Sequence, residues 1–224
     1  MVMTEVQHRA FKTRLYEQFA RIPKALANPH RLELVDLLAQ GPRTVEDLAR
    51  EAGLSVANAS QHLQILRSAR LVSVRREGLY SYYSLAGEAV FAVWQAMRAL
   101  GEQQYAEIRE VVTAYLQERE QLEPLSSREL LERLRRDDVI LLDVRPELEY
   151  HAGHIPGAHS LPVAELETRL REIPSDCEVI AYCRGPYCVF ADEAVAVLRE
   201  RGYRARRLAG GLPDWRAEGL PVEP

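Results

Sequence analysis

The chain has 224 residues, 28% of them charged and 47% apolar, with a net charge of −4. That is the make-up of a globular protein long enough for one large domain or two of about 100 residues each, and it excludes a disordered or low-complexity chain. No apolar run approaches a membrane span, and MVMTEVQHRAFKTRLYEQF lacks the basic cap and unbroken apolar run of a signal peptide, so a cytoplasmic location is expected. Three cysteines, an odd number, argue against a disulfide framework and leave thiol chemistry or plain burial.

Charge is unevenly shared. Residues 1–122 hold 15 Lys+Arg against 14 Asp+Glu, and residues 123–224 hold 14 against 19, giving net charges of +1 and −5. Between residues 54 and 83, Arg67, Arg70, Arg75 and Arg76 face the single acid Glu77. Such a basic stripe can meet phosphates without a high overall isoelectric point.

A first helix is predicted around Phe11 to Ile22. Asn28-Pro29 then writes a helix start, because Asn caps orphan amides and Pro fits the first helical position. Leu32, Leu34, Val35, Leu37 and Leu38 give that helix an apolar face, and Gly41-Pro42 ends it. Thr44-Val45-Glu46-Asp47 opens the next helix with a cap and early acids, which suit the helix dipole. Gly53 stops it, and Ser55 caps a third helix running to about Ala69. In this third helix Val56, Ala59, Leu63 and Leu66 recur at spacings of three and four and are predicted to face inward. Asn58, Gln61, Gln64 and, partly, Ser60, His62 and Arg67 are left outside, where they suit base edges and phosphates. LVSVRREGLYSYYSL follows, two alternating strand patterns around Glu77-Gly78, a hairpin with Arg75 and Arg76 at its tip and Tyr80 on its return strand. Helix, turn, polar-faced helix and basic hairpin together are what a winged DNA reader requires, with Ser55, Asn58, Ser60, Gln61, His62, Gln64, Arg67, Arg75, Arg76 and Tyr80 as candidate contacts to double-stranded DNA.

Residues 24–85, and in particular ALANPHRL, Leu54-Ser55, Ser60-Gln61-His62-Leu63 with Leu66, and a wing ending in Tyr82-Tyr83, resemble the arsenic-repressor (ArsR) family of bacterial transcriptional regulators. The resemblance implies a homodimeric repressor that leaves its operator on a chemical signal. It also implies where metal-sensing members hold their ligands, and this chain departs there: Pro42-Arg43-Thr44-Val45-Glu46 contains no cysteine and the long helix expected from about Gly87 to Glu120 no histidine. Neither metal nor cofactor is expected. That helix carries Val90, Val93, Trp94, Met97, Leu100, Tyr105, Ile108, Val111, Val112, Tyr115 and Leu116, a stripe too long for one small domain to cover, and it is assigned with the first helix to a dimer interface. Packing against the second half is the alternative.

Residues 117–128 mix charge with Pro124 and Ser126-Ser127 in the manner of a linker, placing a domain boundary between 1–121 and 122–224. Beyond it, a helix at Leu130 to Arg135, buried strands at Val139 to Val144 and Val179 to Cys183, a helix at Ala191 to Arg201 and a strand at Arg204 to Leu208 alternate as in a parallel α/β sheet. The predicted fold is therefore two domains, a mainly-α winged helix-turn-helix followed by an α/β domain. Chemistry in such sheets gathers where strands end and helices begin. YCRGPYC, residues 182–188, sits at that place and reads as a reactive-thiol loop, half of a metal site or an ordinary turn. Turn amides and the following helix dipole would surround the Cys183 sulfur. A free cysteine of pKa about 8.5 is ~3% thiolate at pH 7, and lowering that pKa to ~6.5 makes it roughly three-quarters thiolate.

Residues 124–224 resemble a single rhodanese domain through LLDVRPELEYHAGHIPGAHSLP at 141–162, AYCRGPYC at 181–188 and LAGGLPDW at 208–215. The resemblance implies that Cys183 is a sulfur-accepting nucleophile that takes sulfane sulfur as a persulfide and passes it on, within the loop Arg184, Gly185, Pro186, Tyr187 and Cys188. It makes His151, His154 and His159 part of a structural turn, and Asp143 and Arg145 a pair that fixes the strand end. Phosphatase chemistry needs an Arg where Val189 stands. Pro186 removes an amide donor, and Cys188 occupies a place where thiosulfate-using rhodaneses often carry a basic residue. Poor use of thiosulfate and better use of persulfides or polysulfides is therefore expected. Cys188 reads either as a small filler at the helix start or as a thiol placed to close a di- or polysulfide bridge with a Cys183 persulfide. Two functions follow: a repressor that senses sulfane sulfur through Cys183, or a sulfurtransferase with an accessory DNA-binding domain.

Overall fold

A computed structural model describes residues 4–115 and 124–224, which fall into two compact units, Met1–Trp94 and Gln95–Pro224. The boundary expected at 121/122 lies outside the described residues.

In the first unit, α1 (Glu5–Phe19) starts earlier than Phe11 because Thr4 and Gln7 form a capping box. Every residue of α1 is exposed, including Phe11, Tyr16 and Phe19. After it come α2 (Arg21–Leu26), α3 (Pro29–Ala39), α4 (Val45–Glu51) and α5 (Val56–Ser68). The three caps legible in the sequence all form: Asn28, Thr44 and Ser55 each accept the amide hydrogen of the residue three positions on. Leu26, Leu34, Val35, Leu38, Leu48, Leu63 and Leu66 pack into one core. Val56 does not join them. It is 46% exposed, and the inward stripe of α5 starts only at Ala59.

The hairpin is β2 (Val72–Glu77) and β3 (Tyr80–Leu85), in register Glu77 opposite Tyr80. The turn is thus Gly78-Leu79, one residue later than the sequence placed it, with Gly78 at φ +59°, a conformation glycine adopts without a Cβ clash. A two-residue strand, β1 (Arg43–Thr44), pairs antiparallel with β3 and completes a sheet of order β1-β3-β2. Two residues show no period, so the sequence could not announce it.

The long helix predicted from Gly87 is α6 (Glu88–Gln104) followed by α7 (Ala106–Tyr115), interrupted at Tyr105. A Cβ added at Gly101 would lie 3.1 Å from Ile108 Cδ1. Seven residues of straight helix rise about 10.5 Å, so this approach records a bend that Gly101 makes room for. Continuation of the stripe to Leu116 lies outside the described residues.

The second unit is a four-stranded parallel sheet, order β5-β4-β6-β7, formed by β4 (Val139–Asp143), β5 (His159–Ser160), β6 (Glu178–Cys183) and β7 (Ala205–Gly211). Residues alternate between its faces along β6. Val179, Ala181 and Cys183 pack with Ala191, Ala194, Val195 and Leu198 of α11 (Phe190–Glu200). Ile180 and Tyr182 pack with Leu130 of α8 (Ser127–Leu134) and Leu212 and Trp215 of α12 (Leu212–Ala217). Two further short helices, α9 (Glu147–His151) and α10 (Leu166–Arg169), lie in the connections on either side of β5. The sheet is covered on both faces, so its strands read as near-continuous apolar runs.

Candidate functional site

β6 ends at Cys183, and Arg184 to Cys188 turn the chain into α11, with the Cys188 amide donating to the Gly185 carbonyl (3.2 Å). Both sulfurs sit in this turn within hydrogen-bonding reach of each other. Cys183 is 2% exposed, and its Sγ lies 3.6 Å from the Cys188 carbonyl and 3.8 Å from that of Gly185. It also receives the amides of Gly185 and Ala191. Cys188 is half-buried and receives the amides of Arg184 and Phe190. Pro186 offers none.

These environments act on the two thiols in opposite directions. Burial, and then the hydrogen bond and charge of Cys188, push the Cys183 thiol well up. The hydrogen bond from Cys183, the two amides and the Arg184 charge hold Cys188 down at about 7 against the desolvation it suffers. The two thiols therefore titrate as a pair, in which burial disfavours the anion at Cys183 and the loop amides with the Arg184 charge favour it at Cys188. The sequence expectation is that loop amides arm Cys183; burial at the strand end acts against that there, and amides with the Arg184 charge act for the anion at Cys188.

Arg184 does not point its charge at an incoming anion unaided. Its Nε and a terminal nitrogen both donate to one oxygen of Glu149, whose side chain is 1% exposed, and its guanidinium lies 5.3 Å from the centre of the Phe190 ring. Beside the loop, Asp143 accepts bonds from the Arg145 backbone amide (3.1 Å), Nε (2.9 Å) and a terminal nitrogen (2.5 Å), and from the Tyr182 hydroxyl (2.6 Å). Arg145 is fully buried and also donates to the Gly153 carbonyl, while Tyr182 Oη accepts the Ile155 amide. Burial, then the Asp143 charge, pushes the Tyr182 phenol up, so it stays a donor. Asp143 and Arg145 thus form the expected pair; Tyr182 joins it unforeseen.

The end of β7 presses on the loop from the other side. A Cβ on Gly211 would come within 2.3 Å of the Arg184 carbonyl group, so glycine is required there by close approach. Asp214 caps α12 through the Gly211 amide (3.1 Å) and accepts from Gln95 and Arg98 of α6. The Tyr187 hydroxyl donates to Glu102. Glu149 and Asp214 escaped the sequence reading. Glu147 and Glu149 look alike in a five-residue helix, whereas the Gly211-x-x-Asp214 spacing was a readable capping signal. Cys177 lies just before β6, at the strand end opposite Cys183.

His154 is stacked on Tyr150 at 3.9 Å, with Nδ1 3.2 Å from the Tyr150 carbonyl, and is buried. His151 is exposed beside Glu147, and His159 is on β5. Among the described residues no cluster of three His, Cys, Asp or Glu could hold a metal ion.

In the first unit, Asn58, Gln61, Gln64 and Arg67 are exposed on α5, as expected. The Ser55 hydroxyl is engaged as the cap, accepting the Asn58 amide at 3.2 Å. Ser60 is half-buried, and His62 leans back onto His30, ring centres 5.6 Å apart. Burial, then Arg31 and His30, lower the His62 pKa, which favours its neutral form. On the wing Arg75 pairs with Glu77 at 2.5 Å, and Arg76 and Tyr80 are exposed.

The pattern of the bacterial regulatory proteins of the arsR family matches residues 28–74, and that of rhodanese-like domains residues 126–218. The chain is 44% identical over 212 residues to the HTH-type transcriptional regulator Rv0324 of Mycobacterium tuberculosis, covering 95% of this chain and 93% of the relative. It is 39% identical over 87 residues to a protein named sulfurtransferase in Allochromatium vinosum, covering 38% of this chain and 79% of that one. A solution structure of the homodimeric winged helix-turn-helix DNA-binding domain of Mb0332 from Mycobacterium bovis is 40% identical, covering 47% of this chain and 94% of that chain, with a TM-score of 0.43. No helix among the described residues is long and apolar enough to cross a membrane.

Proposed function

This chain belongs to the ArsR family of bacterial regulatory proteins and carries a rhodanese-like domain behind its DNA-binding one, and from that premise we propose that it is a repressor that senses sulfane sulfur. The loop between β6 and α11 accepts sulfur from a persulfide or polysulfide donor and holds it as a Cys183 persulfide, and this charged state alters operator affinity. The observation that carries the reading is the pair of free thiols, Cys183 and Cys188, held together under four backbone amides at a sheet's chemical edge. The engagement of Arg184 by Glu149, with Pro186 and Cys188 in the loop, disfavours a thiosulfate dianion and supports a persulfide or polysulfide donor.

DNA recognition is assigned to the exposed face of α5 in the major groove and to Arg75, Arg76 and Tyr80 on the wing. The working form is a homodimer. Val93, Met97 and Leu100, at helical spacing on α6, are 39%, 38% and 57% exposed, and Phe11, Tyr16 and Phe19 of α1 are exposed too.

A gel-shift titration on the DNA upstream of the protein's own gene tests the proposal. Addition of sodium tetrasulfide should shift the binding midpoint in the native chain and leave it unmoved in Cys183→Ser. The likeness to a sulfurtransferase supports a second reading, in which catalytic sulfur transfer is the main activity. Multiple turnovers of a sulfane donor with an unchanged DNA midpoint would favour it.

A further inference from the structure

Resting on the sulfur-accepting reading above, we propose that Arg98 of α6 is the cation that a Cys183 persulfide engages, and that this engagement carries the loaded state of the loop into α6. Arg98 lies between the arsR and rhodanese-like stretches and belongs to neither. Its side chain nevertheless reaches the loop: a Cβ added at Gly185 would lie 4.0 Å from Arg98 Nη1 and 3.7 Å from Asp214 Oδ2. The carbonyl of the same Gly185 lies 3.8 Å from Cys183 Sγ. Sulfur and guanidinium thus adjoin one glycine. The side chains of Arg98 and its partner Asp214 are 13% and 12% exposed, so the pair is largely withdrawn from water, where charges interact strongly. Of Arg184 and Arg98, the second is the easier for an anion to recruit. Arg184 holds Glu149, whose side chain is 1% exposed, and taking the cation from a buried carboxylate is costly. Asp214, on losing Arg98, keeps the Gln95 side-chain amide (3.0 Å) and the Gly211 backbone amide (3.1 Å) as donors.

Loading supplies the anion. In net terms, the Cys183 sulfur bonds to the outer sulfur of a donor R–S–S⁻, the bond between the donor's two sulfurs breaks with its electron pair on R–S⁻, and that fragment takes the Cys183 proton. R–SH leaves, and the negative charge stays on the added sulfur, about 2 Å beyond Sγ. Arg98 connects this charge to α6. Gln95, Arg98 and Glu102 stand at i, i+3 and i+7 on one face of the helix, and Glu102 accepts the hydroxyl of the loop's Tyr187. Val93, Met97 and Leu100, all exposed, recur on the opposite face. The helix begins at Glu88, and its Val90 packs in the core of the first unit. A pull on Arg98 is therefore a pull on the helix in which the two units are joined.

The full chain, the DNA upstream of its own gene and sodium tetrasulfide test the proposal, with added sulfur on Cys183 followed by peptide mass spectrometry. At equal charging of Cys183, the gel-shift midpoint should move about tenfold in the native chain and less than about twofold in Arg98→Gln. Arg98→Lys keeps the charge and should retain a shift of about fivefold. A shift in Arg98→Gln as large as the native one, or a loss as complete in Arg98→Lys as in Arg98→Gln, overturns the proposal. In the unsubstituted chain, charging should change the amide hydrogen exchange of residues 95–104, and unchanged protection there overturns it too. Absence of added sulfur from Cys183 of the native chain, or added sulfur with an unmoved midpoint, overturns instead the reading on which the proposal rests.

Discussion

Arg184 Nε and a terminal guanidinium nitrogen converge on a single carboxylate oxygen of Glu149, at 2.8 and 2.6 Å. The contact ties the loop's cation to a buried acid on α9, two β-strands away in sequence.

Glu149→Gln keeps an acceptor but removes the charge that neutralises Arg184. Charge-assisted hydrogen bonds contribute about 1.5–3 kcal/mol, so the freed guanidinium should raise kcat/KM for thiosulfate by about tenfold relative to tetrasulfide. Paired turnover assays of the two donors check this; an unchanged ratio would remove Glu149 from donor selection.

Gly211→Ala drives a methyl group into the Arg184 carbonyl, because the contact distance of 2.3 Å leaves no side chain able to yield. Overpacking of this kind costs about 1–3 kcal/mol or more, and here the loop must move. Thermal unfolding should fall and first-turnover sulfur uptake should drop with it. Gly87→Ala, where an added Cβ meets nothing within 4 Å, should change neither.

Tyr182→Phe deletes the hydroxyl that donates to Asp143 and accepts from the Ile155 amide. Two buried partners lose a bond, at a cost of about 1–3 kcal/mol each where no water replaces it. Calorimetry should show the loss, and it should be smaller than that of Asp143→Ala, which strands the fully buried Arg145.

On the DNA side, Gln61→Ala should weaken operator binding by about 1–3 kcal/mol and relax preference at one base pair. Arg76→Ala should weaken binding to all sequences alike and reduce the salt slope by about 1. Fluorescence anisotropy over a salt series distinguishes the two outcomes.

Leu100→Glu places a charge on the exposed apolar stripe of α6. If a second copy covers it, losing a buried leucine alone costs about 1.5–3 kcal/mol, and dimer dissociation should strengthen about 10- to 100-fold. Sedimentation equilibrium measures it, and a wholly unaltered monomer–dimer balance would move the interface elsewhere.

The elements with a full period or a full capping signal were legible. Asn28-Pro29, Thr44 and Ser55 announced three helices, and the alternating wing and the apolar runs at 139–144 and 179–183 announced strands that the structure contains. What escaped was either too short to have a period, as with Arg43–Thr44, or decided by tertiary packing. A helix that its apolar stripe reads as continuous breaks at Tyr105, with Gly101 leaving room for Ile108. Cys183 could be located from its loop, but its protonation could not, because sequence shows the amides that favour a thiolate and hides the burial that opposes them. Glu149 became visible only when α9 folded its one buried acid toward Arg184.

Strand β6 separates Cys177 from Cys183 by its whole length, about 20 Å at the rise of an extended chain. The polypeptide thus brings its own internal standard to any thiol-labelling measurement. Dose, mixing and protein concentration act equally on all three cysteines, and the ratio of each loop sulfur to Cys177 cancels them.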